Sequence, residues 1–199
     1  MYLYGASGHA KVVIDVLRSN GIPLNGIFDD NLDIKYLFDY KVLGKYDPGI
    51  VNGEKIIISI GNNKLRAHVA EKIVTDFGIA IHISASISDY SSINIGSVVM
   101  HKAIVQSYAK IGKHAIINSA AIVEHDCIIE DFVHISPNVT LCGNVKIGEG
   151  THVGAGAIII PGIKIGKWCI IGAGSVVIRD VPDHVVIVGN PGKIIKILK

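Results

Sequence analysis

The sequence predicts a small Rossmann-like α/β domain over residues 1–79, followed by an all-β parallel helix of six-residue repeats over residues 80–199. Two observations lead to this prediction. An aliphatic residue returns at every sixth position through the second part, whereas strand-like and helix-like segments alternate in the first. The composition agrees, because 22 of 199 residues are Gly, only 6% are aromatic, and Ile and Val dominate the apolar residues.

The second part has a period of six. Each of the 17 hexad positions from Ile81 to Val177 holds an aliphatic residue. An α-helix needs apolar spacings of three and four, and a half-buried strand needs strict alternation, so neither fits. A coil with three short sides does fit, with the aliphatic residue inside and Gly or Asn at the turns. At three hexads per coil, the pattern predicts between five and six stacked coils without an inserted loop, the alternative being a coincidental β-rich sequence.

The first part reads as a βαβ arrangement. Tyr2–Tyr4 is strand-like and ends in the turn Gly5–His9, and an amphipathic helix follows from about Ala10 to Ser19. A second strand ends at Asp29 and Asp30. The remaining predicted elements are a strand over Ile56–Ile60, which ends at Gly61, and a helix from about Lys64 to Phe77. Ligands of parallel sheets bind beside the carboxyl ends of the strands, where these turns would meet.

The turn Gly5–His9 is not a dinucleotide fingerprint, because it lacks the Gly-x-Gly start and the third glycine. It is not a Walker loop either, because Gly-Lys-Ser/Thr is absent. It is therefore open to two interpretations, a nucleotide or phosphate contact and an ordinary strand-to-helix turn. The pair Asp29 and Asp30 favours the first, since a carboxylate there can accept hydrogen bonds from a sugar or base. One of the two can equally be a turn aspartate.

Composition excludes several other classes. A net charge of +2 without a basic run argues against nucleic-acid binding. The cysteines Cys127, Cys142 and Cys169 are odd in number and lack metal-ligand spacing, so we expect neither disulfides nor zinc. Met1 leads straight into a strand, and no apolar run reaches the length of a membrane span, so a cytoplasmic protein is expected.

Histidine is the side chain best suited to act as a general base near neutral pH. The second part contains seven histidines: His82, His101, His114, His125, His134, His152 and His184. Only His125 lies between two carboxylates, Glu124 and Asp126. It follows the core residue Val123 by two positions, so its side chain should face outward. The sequence predicts His125 as the base, against the alternative of a merely exposed histidine.

Four motifs together resemble bacterial nucleotide-sugar N-acetyltransferases of the hexapeptide-repeat superfamily, over nearly the whole chain. They are Tyr4-Gly5-Ala6-Ser7-Gly8-His9, Phe28-Asp29-Asp30, Ile60-Gly61-Asn62-Asn63 and Val123-Glu124-His125-Asp126-Cys127. The resemblance implies a left-handed β-helix and a homotrimer with active sites between subunits. It implies acetyl-CoA as co-substrate, no metal, and the 4-amino group of a UDP- or dTDP-linked 4-amino-4,6-dideoxysugar as acceptor. O-acetylation of sialic acid, as in related proteins, and a non-catalytic scaffold remain alternatives.

The resemblance also assigns roles to residues. His125 is then the general base, and Asp126 raises its basicity, in place of the longer Glu of those family members that act in the bacillosamine pathway. The nucleotide-sugar contacts would be Ser7, Gly8, His9, Asp29, Asp30 and Gly61. The acetyl-CoA contacts would be His134, Ala155 and Ala173, the last in place of the family's Gly.

Spacing by itself adds two expectations. Gly143 lies 18 residues after His125, so its N–H should sit one coil above the base as an oxyanion donor to the thioester. His134 and His152 are also 18 apart and should stack, although two histidines without a third ligand make a poor metal site. Cys127 and Cys169 are predicted to pack in the core, and Cys142 is left open.

Overall fold

The computed structural model describes residues 1–198, so Lys199, the last residue of the predicted second domain, lies outside the described residues. Its amino-terminal part is a three-stranded parallel sheet in the order β2–β1–β5, with helices around it. The elements are β1 Tyr2–Tyr4, α1 Gly8–Ser19, β2 Gly26–Phe28, β3 Tyr36–Leu37, β4 Tyr40–Lys41, α2 Pro48–Val51, β5 Ile56–Ile58 and α3 Asn63–Ala70. The predicted α/β part is confirmed.

Several boundaries differ from those predicted. Helix α1 begins at Gly8 instead of Ala10. Helix α3 ends at Ala70, and the prediction that it continues to Phe77 is wrong. The chain beyond Ala70 instead returns to the sheet, where Phe77 forms a parallel bridge with Ile56. The hairpin β3–β4 and the short helix α2 were not predicted, because two- to four-residue elements carry no periodicity.

The second part is a parallel β-helix made of two-residue strands, β6 to β22, spaced six residues apart. They are Ala80–Ile81, Ser86–Ile87, Ser92–Ile93, Val98–Val99, Ile104–Val105, Lys110–Ile111, Ile116–Ile117, Ile122–Val123, Ile128–Ile129, His134–Ile135, Thr140–Leu141, Lys146–Ile147, His152–Val153, Ile158–Ile159, Lys164–Ile165, Ile170–Ile171 and Val176–Val177. No insertion interrupts this series, as the hexad count predicted.

Each strand pairs in parallel with the strand three places before it in the chain, so the β-helix is a prism with three faces. Face 1 contains β6, β9, β12, β15, β18 and β21; face 2 contains β7, β10, β13, β16, β19 and β22; face 3 contains β8, β11, β14, β17 and β20. The chain passes from face 1 to 2 to 3 and back, and each corner is a two-residue turn. The hexad residues fill the interior, where Val123, Ile135 and Leu141, for example, are fully buried.

The end of the prism departs from the hexad repeat. After Asp183, strand β23 (Val185–Val188) pairs in parallel with β21 on face 1. Strand β24 (Lys193–Ile197) then turns back antiparallel to β23. Among residues 1–198, no helix has the length and apolarity needed to cross a membrane.

The amino-terminal part packs on the lower coils of face 1. The outward side chains of Val98 and Ile116 share one hydrophobic cluster with Val13 and Ile14 of α1. Asn20, at the end of α1, donates a hydrogen bond to the carbonyl of Ile81 at 2.6 Å. This packing brings the carboxyl ends of β1 and β5 to the middle of face 1.

Candidate active site

A cavity of about 780 Å³ opens where the turn after β5 meets face 1. The turn Gly61–Lys64 forms one wall, and His134 and His152 on face 1 form another. Trp168 and the end of β24 complete the lining, with Lys196 at the rim. The cavity therefore joins the amino-terminal part, the prism and the carboxyl-terminal strand.

Both ring nitrogens of His134 are engaged within the chain. Its Nδ1 lies 3.3 Å from the carbonyl oxygen of Gly61, which can only accept, so Nδ1 carries the proton. Nε2 then accepts from the amide nitrogen of Asn118 at 3.0 Å. Burial, followed by the nearby His152 and Arg66, lowers the pKa of His134 to about 3. His134 is therefore a neutral, fixed part of the cavity wall, with both ring nitrogens occupied within the chain.

His152, unlike His134, has one ring nitrogen without a hydrogen-bond partner among residues 1–198. Its ring stacks on His134 with 4.8 Å between centroids, as the 18-residue spacing predicted. Nε2 lies 2.8 Å from the hydroxyl of Ser136, while Nδ1 has no partner among residues 1–198. Burial and the charge of Arg66 lower its pKa. Within the same residues no group of three or more His, Cys, Asp or Glu side chains could hold a metal ion.

The turn between β1 and α1 lies beside this cavity. His9 packs against Gly61, and its ring centroid lies 6.2 Å from that of His134. Its Nε2 is buried without a hydrogen-bond partner among residues 1–198. Burial and the charge of Arg66 lower its pKa to about 4. Ser7 and Gly8 begin α1, and the Ser7 side chain makes no capping hydrogen bond.

The two aspartates after β2 differ in their surroundings. Asp29 accepts from the backbone N–H groups of Ala6 at 2.6 Å and Asn31 at 2.8 Å, so its carboxylate holds two turns of this edge together. Asp30 faces a separate cavity of about 480 Å³ with Tyr4. Burial and then Asp30 raise the pKa of Tyr4. Of the pair, Asp30 is the carboxylate that faces open space.

His125 lies at the corner between faces 2 and 3. Its Nδ1 is 2.8 Å from Asp126 Oδ2, and its side chain is 62% exposed. Gly143, one coil above, is so close that a Cβ there would lie 2.7 Å from both Cε1 and Nε2 of the ring. The Gly143 N–H donates to no acceptor within residues 1–198. The arrangement places an oriented imidazole beside a backbone donor, which is what base-assisted acyl transfer needs.

The predicted site residues therefore do not meet at one place in a single chain. Face 1 and its corner with face 3, where Gly150 and Trp168 lie, carry the cavity and His134. The exposed turn residues Ala155 and Ala173 stack on adjacent coils at the corner between faces 1 and 2, outside the cavity lining. His125 and Gly143 lie at the corner between faces 2 and 3, which is the corner opposite face 1.

The cysteines Cys127 and Cys169 are buried, as predicted, and Cys142 is partly exposed. Burial raises the pKa of the Cys127 thiol to about 11 and also raises that of Cys169. Both are packing residues.

Sequence reasoning did not find Arg66, Asn63 or Trp168. Arg66 is buried on α3, Asn63 donates to the carbonyls of Gly150 and Thr151, and Trp168 lines the cavity. The one available signal was that Asn63 belongs to the motif Ile60-Gly61-Asn62-Asn63. The others depend on packing between segments far apart in the chain.

Two family models match the chain: PglD N-terminal domain over residues 1–73, and bacterial transferase hexapeptide (six repeats) over residues 144–179. In addition, 74 residues are 34% identical to uncharacterized protein L142 of Acanthamoeba polyphaga mimivirus, a match that spans 37% of this chain and only 15% of that protein.

Solved structures match far more of the chain. PerB from Caulobacter crescentus, in complex with CoA and GDP-perosamine, is 36% identical, with a TM-score of 0.92 over 98% of this chain and 96% of that one. The acetyltransferase domain of PglB from Neisseria gonorrhoeae, in complex with acetyl coenzyme A, is 33% identical, with a TM-score of 0.89 over 98% of each chain. WeeI from Acinetobacter baumannii is 31% identical, with a TM-score of 0.88 over 98% of each. The predicted resemblance is confirmed, and the chain belongs to the hexapeptide-repeat family of sugar N-acetyltransferases.

Proposed function

We propose that the protein transfers the acetyl group of acetyl-CoA to the 4-amino group of a nucleotide-linked 4-amino-4,6-dideoxysugar. The observation that carries this proposal is the 2.8 Å contact between His125 Nδ1 and Asp126 Oδ2 at an exposed corner beside Gly143. The complex of PerB with CoA and GDP-perosamine supports the substrate class, and it adds GDP to the UDP and dTDP expected from the sequence. The cytoplasm, which supplies acetyl-CoA, is the proposed compartment.

In this mechanism Asp126 accepts from Nδ1–H of His125, which leaves the Nε2 lone pair as the base. The sugar amine attacks the thioester carbonyl carbon, a C–N bond forms, and His125 takes the proton that the nitrogen loses. The Gly143 N–H stabilises the negative oxygen of the tetrahedral intermediate. When the C–S bond breaks, the imidazolium returns the proton to the CoA sulfur, so no covalent enzyme intermediate is needed.

The site is completed by a second copy of the chain. His125 projects from the corner opposite face 1, whereas the turn Gly61–Lys64 and His134 lie on face 1. The width of the prism separates them, so the base serves a cavity on a neighbouring subunit. A closed homotrimer, in which each face 1 meets the neighbour's corner, satisfies this requirement with three equal contacts.

Mixing two inactive variants tests this arrangement. Subunits with His125→Ala lack the base, and subunits with Gly61→Trp have a blocked cavity. Co-refolded mixtures should regain activity, because some interfaces then combine an intact base with an intact cavity. Mixtures that stay inactive, although native mass spectrometry shows mixed oligomers, would place the whole site within one chain.

A substrate panel tests the reaction itself. Purified protein and acetyl-CoA are combined with UDP-, dTDP- and GDP-linked 4-amino-4,6-dideoxysugars and with free sialic acid, and thiol release is followed. We expect release with at least one amino sugar and its loss with His125→Ala. Release with sialic acid alone would replace the N-acetyl proposal by O-acetylation. Absence of acetyl-CoA binding by calorimetry would favour the scaffold alternative.

A further inference from the structure

We propose that Arg66 is the positioning residue of the cavity, which clamps the turn Gly61–Lys64 onto the prism and thereby fixes the wall against which the nucleotide sugar binds. Nothing in the motifs or in the family resemblance pointed to this side chain. The inference rests on the proposed function for the identity of the ligand, but the clamp itself is a property of the free protein.

The guanidinium of Arg66 joins the two parts of the chain. All its donors are used, and every acceptor is an uncharged oxygen. They are the carbonyls of His114 (2.8 Å), Ile60 (2.9 Å), Gly61 (3.2 Å) and Phe132 (2.8 Å), and the side-chain oxygen of Asn63 (2.9 Å). Three acceptors belong to the segment that follows β5, and two belong to turns of the prism. The rigid, planar guanidinium thus sets the position of the segment after β5 relative to the prism.

A buried cation without an anion is a costly way to hold two segments together. Arg66 is 1% exposed, and none of the ion pairs among residues 1–198 includes it. An apolar side chain of similar size would serve stability alone as well or better. The fork of five N–H groups offers something that an apolar side chain cannot, namely a fixed direction for each carbonyl that it binds.

One of those carbonyls leads directly to the cavity. Gly61 O accepts from Arg66 Nη1 and also from His134 Nδ1, so the guanidinium holds the atom that fixes the histidine tautomer. His134 Nε2 is in turn bound by Asn118. The cavity wall is therefore the end of a hydrogen-bonded chain that begins at Arg66.

The charge of Arg66 acts on the same groups. His9, His114, His134 and His152 surround it, and their pKa values are lowered by burial and by this cation. Asp131 and Lys113, the other charged groups that act on His114, oppose each other there. The imidazoles beside the cavity thus stay neutral, which His134 needs in order to accept from Asn118.

The test compares Arg66→Met and Arg66→Lys with Phe77→Leu. Phe77→Leu is the control. It weakens the packing between the amino-terminal part and the prism without a change of charge, because the Phe77 ring packs edge-on against His114 with 4.3 Å between centroids. For Arg66→Met we expect the KM of the nucleotide sugar to rise about tenfold or more, with kcat changed less than about threefold. Arg66→Lys keeps the charge but not the fork, so its KM should lie between those of the wild type and Arg66→Met. Phe77→Leu should keep the KM of the wild type.

A second readout needs no turnover. In the free wild-type protein, ¹⁵N spectra of the imidazoles should show His134 in the Nδ1–H form without titration down to pH 5.5. In Arg66→Met the His134 signal should shift and titrate at higher pH, and in Phe77→Leu it should not. A wild-type KM together with a wild-type His134 signal in Arg66→Met overturns the proposal. If Arg66→Met does not fold, Arg66→Lys decides by the same two measurements. If no sugar is acetylated by the wild type, the proposed function fails while the spectra still decide on Arg66.

Discussion

The substitution Gly143→Ala should displace His125, the proposed base, while leaving the fold intact. The only atoms that crowd an added Cβ are those of the His125 ring, with Cε1 and Nε2 both at 2.7 Å. Ordinary contact for such an atom begins at 3.4 Å, so the ring must retreat by about 0.7 Å, the difference between the two distances. Gly143 does not have a positive φ, so alanine causes no backbone strain.

The expected loss follows from that displacement. General-base catalysis contributes roughly 10²–10⁴-fold, and a 1 Å misplacement of a reacting group can cost about 10²-fold. We therefore expect kcat to fall about 10- to 100-fold, with KM values for both substrates nearly unchanged. Because the His125 side chain is 62% exposed, its ring can move at little cost. The free energy of unfolding should change by no more than about 0.5 kcal/mol.

A double-mutant cycle separates this mechanism from others. Thiol release is measured for the wild type, Gly143→Ala, His125→Ala and the double variant, and thermal unfolding is recorded for each. If the methyl group acts only through the ring, the double variant has the activity of His125→Ala. If Gly143→Ala lowers kcat as much in the His125→Ala background as in the wild type, the methyl group acts on the backbone N–H instead. A wild-type kcat for Gly143→Ala would refute the position assigned to the base.

Three further predictions concern groups that the structure places in contrasting surroundings. Asp126→Asn should lower kcat at least about tenfold, because asparagine carries no charge to orient His125. Asparagine tolerates the positive φ of this turn, so the backbone should not change. Wild-type kinetics would contradict the orienting role of Asp126. Iodoacetamide at pH 8 should modify only Cys142, since burial raises the pKa of both other thiols, and a second adduct in the mass spectrum would contradict this. His9 and His134 have pKa values lowered to about 4 and about 3, so as pH falls from 6.5 the unfolded chain binds protons first. Urea denaturation should therefore show full stability above pH 6.5 and a loss towards pH 4, and a constant midpoint would refute it.

The prism could be predicted because one rule governs each of its residues. A one-residue slip would turn a buried aliphatic residue outward, so the hexad from Ile81 to Val177 had to be continuous for the coil to close. The amino-terminal part was less predictable at its edges. The end of α3 depends on Phe77 pairing with Ile56, a tertiary contact that local periodicity does not record.

The same distinction applies to the candidate site. Asp126 is adjacent to His125 in sequence, and Gly143 lies one coil later, so adjacency and spacing alone indicated their contacts. Arg66 reaches carbonyls of His114 and Phe132, 48 and 66 residues away, through a fold of the chain that follows no repeat. Residues of this kind become visible only when the packing of one part on the other is known.

The period that made the prism predictable is also the reason why the proposed site combines two copies of the chain. Residues that differ by a multiple of 18 stand above one another, as His134 and His152 do. His125 and His134 differ by nine, half of one coil, so the interior aliphatic residues lie between them. Strand β14 connects them, and its pairing with β11 and β17 would have to break before the two imidazoles could meet. A base built into a rigid prism cannot move to its substrate. The proposed mechanism therefore presents it to a cavity on another chain, and the proposed trimer is the smallest closed ring in which each of the three-sided prisms both offers its corner and receives one.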